Sequence, residues 1–516
     1  MSHIFLNLYL FFPLVAFLFI LLLSVLSGLK KTVPHAIARI VCCIGAGAIA
    51  FRWTPRLREW LVPRLWDIAV RLASPDVQEL TASMPDGTEG LKLLLGLMAA
   101  PSLFCIIFWI SYAVIRIFCA IVLRIFGAKP RRIGFSLPGT LMGAVHGILL
   151  ATVVVMPLCG YMSITSDAII AFSDTGAPAV VEARKNNFDM RPLQEFADDA
   201  AENSFLRTMR TTSGRLLFVP LTTGEFAVAD GNHTLNLEVE LPQIASAVGT
   251  TLCVTDHAPD MQDSNTLTEA DRALLVRTKD ALMASELIKL ISSGLVSRVS
   301  SAWSQDQSFL GMEPPQVNPV LAPTMLTVYH TLSDETPSYL ETDLDTCLDI
   351  YCQLSDAGIL QKGLNASDLM TRLGSRENGS LLRSVQETLR ENPHLRALSD
   401  EIDALGMRAV AKVLEESGLA DGQYDAELSQ ISDTLNEVRH MEPTERATIL
   451  QDRVREAMQG QDVDIPDEVA VSMCEKVLAD MEADELGDMD GEQLRNYLME
   501  HAADIASELP EGTLPQ

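Results

Sequence analysis

Residues 139–155 read GTLMGAVHGILLATVVV, and His146 is the one ionisable side chain among them. An ionisable group in a run this apolar is where proton transfer or ligand binding would be sought. It sits between Gly143 and Gly147, at the edge of a stripe formed by Gly139, Gly143, Gly147 and Ala151. A proton path needs further titratable groups, yet no Asp or Glu occurs in any of the long apolar runs. The residues therefore point to a neutral histidine bonded to a carbonyl of a neighbouring helix, with a functional histidine as the alternative.

The remaining chemistry-bearing residues form no constellation. His233, His257, His330, His394, His440 and His501 are dispersed, without the HExxH spacing of a zinc protease. No GxSxG, phosphate-binding loop or dinucleotide fingerprint occurs. The segment LGDMDGEQLRNY places Asp488, Asp490 and Gly491 as in a calcium loop. Its first and twelfth positions are Leu486 and Tyr497, where carboxylates are needed, so Asp490 is read as a helix cap. Nine cysteines contain no CxxC. Cys42, Cys43, Cys105, Cys119 and Cys159 lie in or beside apolar runs, as small hydrophobes. The sequence thus yields no catalytic residue, no cofactor and no metal-ligand set.

The elements that must position His146 are long apolar helices. The chain divides by charge: residues 1–163 carry 14 Lys+Arg against 6 Asp+Glu, and the remainder 25 against 62. A span needs ~20 apolar residues. Four candidates fall at about residues 4–28, 33–51, 91–115 and 137–160, all before residue 164. Arg39 near the start of the second is expected to snorkel to the interface. The small residues of CCIGAGAIA in that span suit close helix contact. The third run stays apolar as far as Gly127, which calls for tilt, a kink at Pro101 or an amphipathic extension. Between the second and third candidates lie Trp53, Trp60 and Trp66 among five arginines. Tryptophan favours the membrane–water boundary, so an interfacial helix pair broken at Pro63 is expected there, with an ordinary connecting helix packed on protein as the equal alternative.

Short basic loops stay in the cytoplasm. Lys30 and Lys31 follow the first span; Arg124, Lys129, Arg131 and Arg132 follow the third. Both chain ends are then extracytoplasmic, although the five arginines after the second span oppose that orientation. The glycine stripe is read as a helix-packing seam, because small residues let backbones approach where lipid removes the hydrophobic drive. Its partner is left open: another helix of this chain, a second copy, or another membrane protein.

The run RRIGFSLPGTLMGAVHGILL, with SGLKK closing the first span, a small-residue second span and a long third span, resembles the CvpA family of colicin V production proteins. The family pattern falls on Arg132, Gly134, Gly139, Gly143 and Gly147, and the resemblance covers about residues 1–163. Asn7 stands near the position where an acidic residue often begins the first span. The resemblance implies a bacterial, membrane-embedded protein without established catalytic residues, linked to toxin (bacteriocin) production or secretion and to the cell envelope.

Beyond the spans, residues 164–245 are read as a mixed segment. LLFVPL is expected to be a strand, and GEFAVA with TLNLEVEL a hairpin about DGNH. Residues 246–516 are read as an acidic helical domain, with Thr268 a candidate cap. Helices are expected over 268–299, 338–361, 379–391, 394–418, 424–440, 443–459, 465–485 and 490–508. The excess of carboxylates repels phosphates and argues against a nucleic-acid partner. The expected fold class is an α-helical integral membrane protein with a mainly α extracytoplasmic domain and a small β-hairpin unit. The expected function is non-enzymatic, with the lipid bilayer as the first partner. A transporter or channel component, and a membrane-anchored hydrolase, are the rivals.

Overall fold

Four long helices dominate the structure: α1 (Ser2–Leu29), α2 (Val33–Leu72), α4 (Pro85–Ile125) and α5 (Leu137–Ser173), with a short α3 (Pro75–Ser83) linking α2 to α4. All four are long and apolar enough to cross a membrane. The computed structural model describes residues 2–29, 31–125, 137–184, 190–228, 231–263, 267–315, 322–358, 379–401 and 425–439, with a few single positions beyond. The helices pair antiparallel, α1 with α5 and α2 with α4. Their core is built from Cys43, Ala46 and Ala50 of α2, Phe104, Phe108 and Tyr112 of α4, and Val153 and Met156 of α5. Cys42, Cys43, Ala46 and Ala50 of CCIGAGAIA make this contact. Gly47, by contrast, has open space where a Cβ would stand. Outward, Phe19, Leu22, Ile44, Ile110, Ile117, Phe118 and Leu141 are exposed.

α2 is one continuous helix of 40 residues that runs through Pro55 and Pro63, so the expected helix pair broken at Pro63 is not formed. Proline removes one hydrogen bond and crowds the preceding turn. Packing against α4 overrides that cost: Val62 is buried, and Gly96 of α4 lies beneath the methylenes of Arg58. α4 likewise passes through Pro101 as a single helix of 41 residues. At ~1.5 Å per residue, α2, α4 and α5 are each about 55–60 Å long, nearly twice a bilayer core.

One end of the bundle is basic. Lys31 follows α1, and Arg124 closes α4, whose last turns meet the first turns of α2. Lys30, Lys129, Arg131 and Arg132 lie outside the described residues. At the other end the extended halves of α4 and α5 meet the segments Arg191–Glu202, Thr223–Val228, Leu237–Asp263 and Glu286–Trp303. Residues 163 and 245, read as domain boundaries, both fall inside helices, α5 and α10 (Leu237–Asp263).

After α5 come three short helices, α6 (Ala177–Arg184), α7 (Arg191–Glu202) and α8 (Ser204–Met209). The stretch expected as strand LLFVPL is instead a π-helical segment, Arg210–Phe218, continued by the single turn α9 (Val219–Leu221). Its Phe218 is fully buried, with the ring laid so closely on Gly160 of α5 that no Cβ would fit there. That contact sets the backbone where β-propensity alone would have favoured a strand. The hairpin pairs β1 (Thr223–Val228) with β2 (Gly231–Asn236), antiparallel, with Phe226 opposite His233. LEVEL is helical rather than strand: Asn236 Oδ1 accepts from the Glu238 N–H at 3.0 Å and starts α10.

Thr268 caps α11 (Glu269–Ala284) in a reciprocal capping box with Asp271. The helix expected over 268–299 breaks at Ser285, which caps α12 (Glu286–Trp303). Buried Glu240 accepts from the Leu287 N–H at 2.8 Å and satisfies another donor of that helix start. α13 (Ala322–Ser333), α14 (Pro337–Asp356), α15 (Gly379–Glu391) and a helix over Asp425–Val438 follow. Most of the helices expected over 394–418, 443–459, 465–485 and 490–508 lie outside the described residues. Asp490 does act as a cap, accepting from the Gln493 N–H at 2.8 Å.

Candidate functional site

The glycine stripe of α5 faces α1 of the same chain. A Cβ at Gly143 would stand 2.8 Å from the Ser24 carbonyl oxygen and 3.0 Å from the Gly28 Cα. At Gly147 it would stand 2.8 Å from the Ser24 Cβ. One at Gly28 would collide with the Gly139 carbonyl oxygen. Ala151 is fully buried. Small residues on both helices let the backbones meet, and the packing in turn shields what lies between them.

What lies there is polar. His146 is 1% exposed. Its Nδ1 shares a hydrogen bond of 2.6 Å with Ser24 Oγ, and its Nε2 one of 2.9 Å with the Tyr112 hydroxyl. Arg39 Nη1 donates to Ser27 Oγ at 2.9 Å. Each long helix contributes: α1 gives Ser24 and Ser27, α2 Arg39, α4 Tyr112 and α5 His146. One sequence expectation is corrected here. His146 is held by side chains of two helices, not by a carbonyl. Arg39, in the first turns of α2, bonds Ser27 in the last turn of α1.

In the neutral imidazole one ring nitrogen donates and the other accepts, so His146 donates to one of these two hydroxyls and accepts from the other. Arg39 Nε is buried without a hydrogen-bond partner among the described residues. The arrangement can pin four helices in register. It also forms a short hydrogen-bonded chain from Tyr112 through His146 to Ser24.

Tyr112 and Ser24 escape a reading of the sequence because a hydroxyl in an apolar run is silent until its partner is known. One signal is present: Phe104, Phe108 and Tyr112 recur every four residues and stack, with centroids 6.4 and 5.9 Å apart. Of the basic residues expected to set topology, Lys31 and Arg124 lie at the bundle end nearest this cluster.

Fold and cluster define a class: a mostly helical protein whose four longest apolar helices could cross a bilayer and share one buried polar cluster. Comparison with protein-family models, with curated proteins and with solved structures gave no match.

Proposed function

We propose that the chain is a non-enzymatic integral membrane protein. Its four-helix bundle spans the membrane and holds an acidic, mainly helical layer rigidly on the extracytoplasmic side. The observation that carries this reading is the length of α2, α4 and α5, of 40, 41 and 37 residues. One half of each suffices for the bilayer, and the other half becomes the platform on which the remaining chain packs. Phe218 on Gly160 and Leu287 on Gly90 are two of these contacts. Exposed Trp53 and Trp60 fall where the apolar half of α2 ends, stacked by Arg56 and Arg64, as an interfacial belt requires. The basic end supports a cytoplasmic placement of the loops holding Lys30, Lys31, Arg124, Lys129, Arg131 and Arg132.

The resemblance to colicin V production proteins supports a role in toxin production or secretion and in envelope maintenance. The bilayer is the primary partner. Since α1 fills the glycine seam, a second copy or another membrane protein would meet the bundle on its exposed apolar faces.

A second reading, a transporter or channel component, is favoured by the hydrogen-bonded chain from Tyr112 through His146 to Ser24, beside the Arg39–Ser27 bond. Purified protein in liposomes loaded with a pH-sensitive dye separates the two. The scaffold reading expects no proton flux above empty liposomes under an imposed potential. Flux that disappears in His146→Ala would overturn it in favour of the second.

A further inference from the structure

Outside the four-helix bundle, the acidic layer buries a second set of ionisable groups. Glu335 lies in the short turn between α13 and α14, Asp343 lies on α14, and His394 lies in the turn after α15. We infer that Glu335, Asp343 and His394 form a binding site for a divalent first-row transition cation of the zinc and manganese class.

The geometry comes first. One oxygen of each carboxylate and one nitrogen of the imidazole lie within 4.8 Å of one another. His394 Nδ1 is 3.9 Å from Glu335 Oε2 and is hydrogen-bonded to Asp343 Oδ2. A tetrahedral ion ~2.1 Å from each ligand needs them about 3.4 Å apart, a small adjustment from these positions.

An independent observation points to a missing ligand. The Glu335 side chain is 1% exposed, yet neither carboxylate oxygen has a hydrogen-bond partner among the described residues. No Lys or Arg pairs with Glu335 or Asp343 among those residues; the only cationic candidate is His394. A buried carboxylate with neither donor nor counter-ion is costly. A divalent cation would neutralise both carboxylates and occupy the orphaned oxygens.

The donor set selects the ion. Imidazole nitrogen with two carboxylates suits zinc, manganese or ferrous iron, whereas magnesium and calcium prefer all-oxygen shells that retain water. Three protein ligands leave a fourth position for water. Asn392 acts as a positioning residue. Its Nδ2 donates to Asp343 Oδ1 at 2.8 Å and to Thr346 Oγ1 at 2.9 Å. Its Oδ1 accepts from the backbone N–H groups of His394 and Leu395 at 2.9 and 3.2 Å. Tyr339 stacks on the imidazole, centroids 4.5 Å apart and planes 7° from parallel. Orientation from outside the ligand shell is a common feature of metal sites. The ligands come from three separate segments, so the ion would clip the α15 region onto α14, and its binding energy would become folding energy.

The test uses the full chain in detergent, stripped of metal with a chelator, then titrated with Co2+, Zn2+ or Mn2+ alone. The expected result is one equivalent of cobalt with visible d–d absorption, displaced by zinc, and a zinc-dependent rise in the unfolding midpoint. Glu335→Gln and Asp343→Asn should each weaken binding by roughly tenfold or more. Asn392→Ala should weaken it by ~10–100-fold with all three ligands present. Circular dichroism checks that each variant folds; if a ligand variant does not fold, the wild-type cobalt spectrum and Asn392→Ala decide. Absence of cobalt absorption and of any zinc shift in the wild type overturns the inference. So does binding unchanged in folded Glu335→Gln and Asp343→Asn, which would put the metal on other carboxylates or cysteines.

Discussion

At the scale of single residues, Gly143 and His146 do complementary work. Gly143 lets α1 and α5 touch, and the buried polar bonds beside it fix how they touch. Gly143→Leu places four carbons where the Ser24 carbonyl oxygen already leaves only 2.8 Å to the first of them. Overpacking of this kind costs ~1–3 kcal/mol or more. The expected outcome is a lower melting temperature in detergent with membrane insertion intact, while Ile148→Leu on the exposed face is silent. Unchanged melting of Gly143→Leu would mean that the helices separate freely. Tyr112→Phe leaves His146 Nε2 without its partner, and a buried unsatisfied group costs ~1–3 kcal/mol. A double-mutant cycle of Tyr112→Phe with His146→Gln should show coupling of at least ~0.5 kcal/mol, because one bond is lost in either variant. Strict additivity would break up the cluster. The stripe was legible in the sequence from its four-residue spacing. Its partner was not, because Gly28 and Ser24 are ordinary residues at the end of a generic apolar run.

At the scale of elements, the structure departs from sequence expectation where tertiary contact outweighs local preference. Pro63 reads as a break, yet Val62 and Arg58 anchor the turn before it to α4, and the helix continues. LLFVPL reads as a strand, yet Phe218 is drawn onto Gly160 and the segment winds as a π helix. The caps at Thr268 and Asp490 were legible, because their chemistry is local; the hairpin was legible too, but Gly231, Asn232 and His233, expected in its turn, belong to β2. The Phe218 contact makes an element-level prediction. Gly160→Val pushes a branched side chain into the ring and should loosen the 204–221 segment from α5. Limited proteolysis should then cut near Arg207, Arg210 or Arg215 much faster than in wild type, with the bundle still resistant. Equal cleavage rates would show that this contact does not hold the outer layer.

At the scale of the whole molecule, the charge division at about residue 163 was legible, but the mechanical division is different. α5 carries the chain ten residues beyond that point without a break, and α4 and α5 form the floor for the hairpin, α10 and α12. The apolar bundle and the acidic layer are therefore one framework, and on the proposed spanning arrangement the basic end and the acidic layer lie on opposite sides of the bilayer. This follows from helix length and from the antiparallel pairing. Cysteine accessibility in intact cells tests it most directly. In a background without native cysteines, Lys31→Cys marks the basic end and Asp280→Cys, on α11, marks the acidic layer. The account predicts that a membrane-impermeant thiol reagent labels position 280 in intact cells and labels position 31 only after permeabilisation. Labelling of both positions in intact cells, of neither, or of position 31 alone would contradict it.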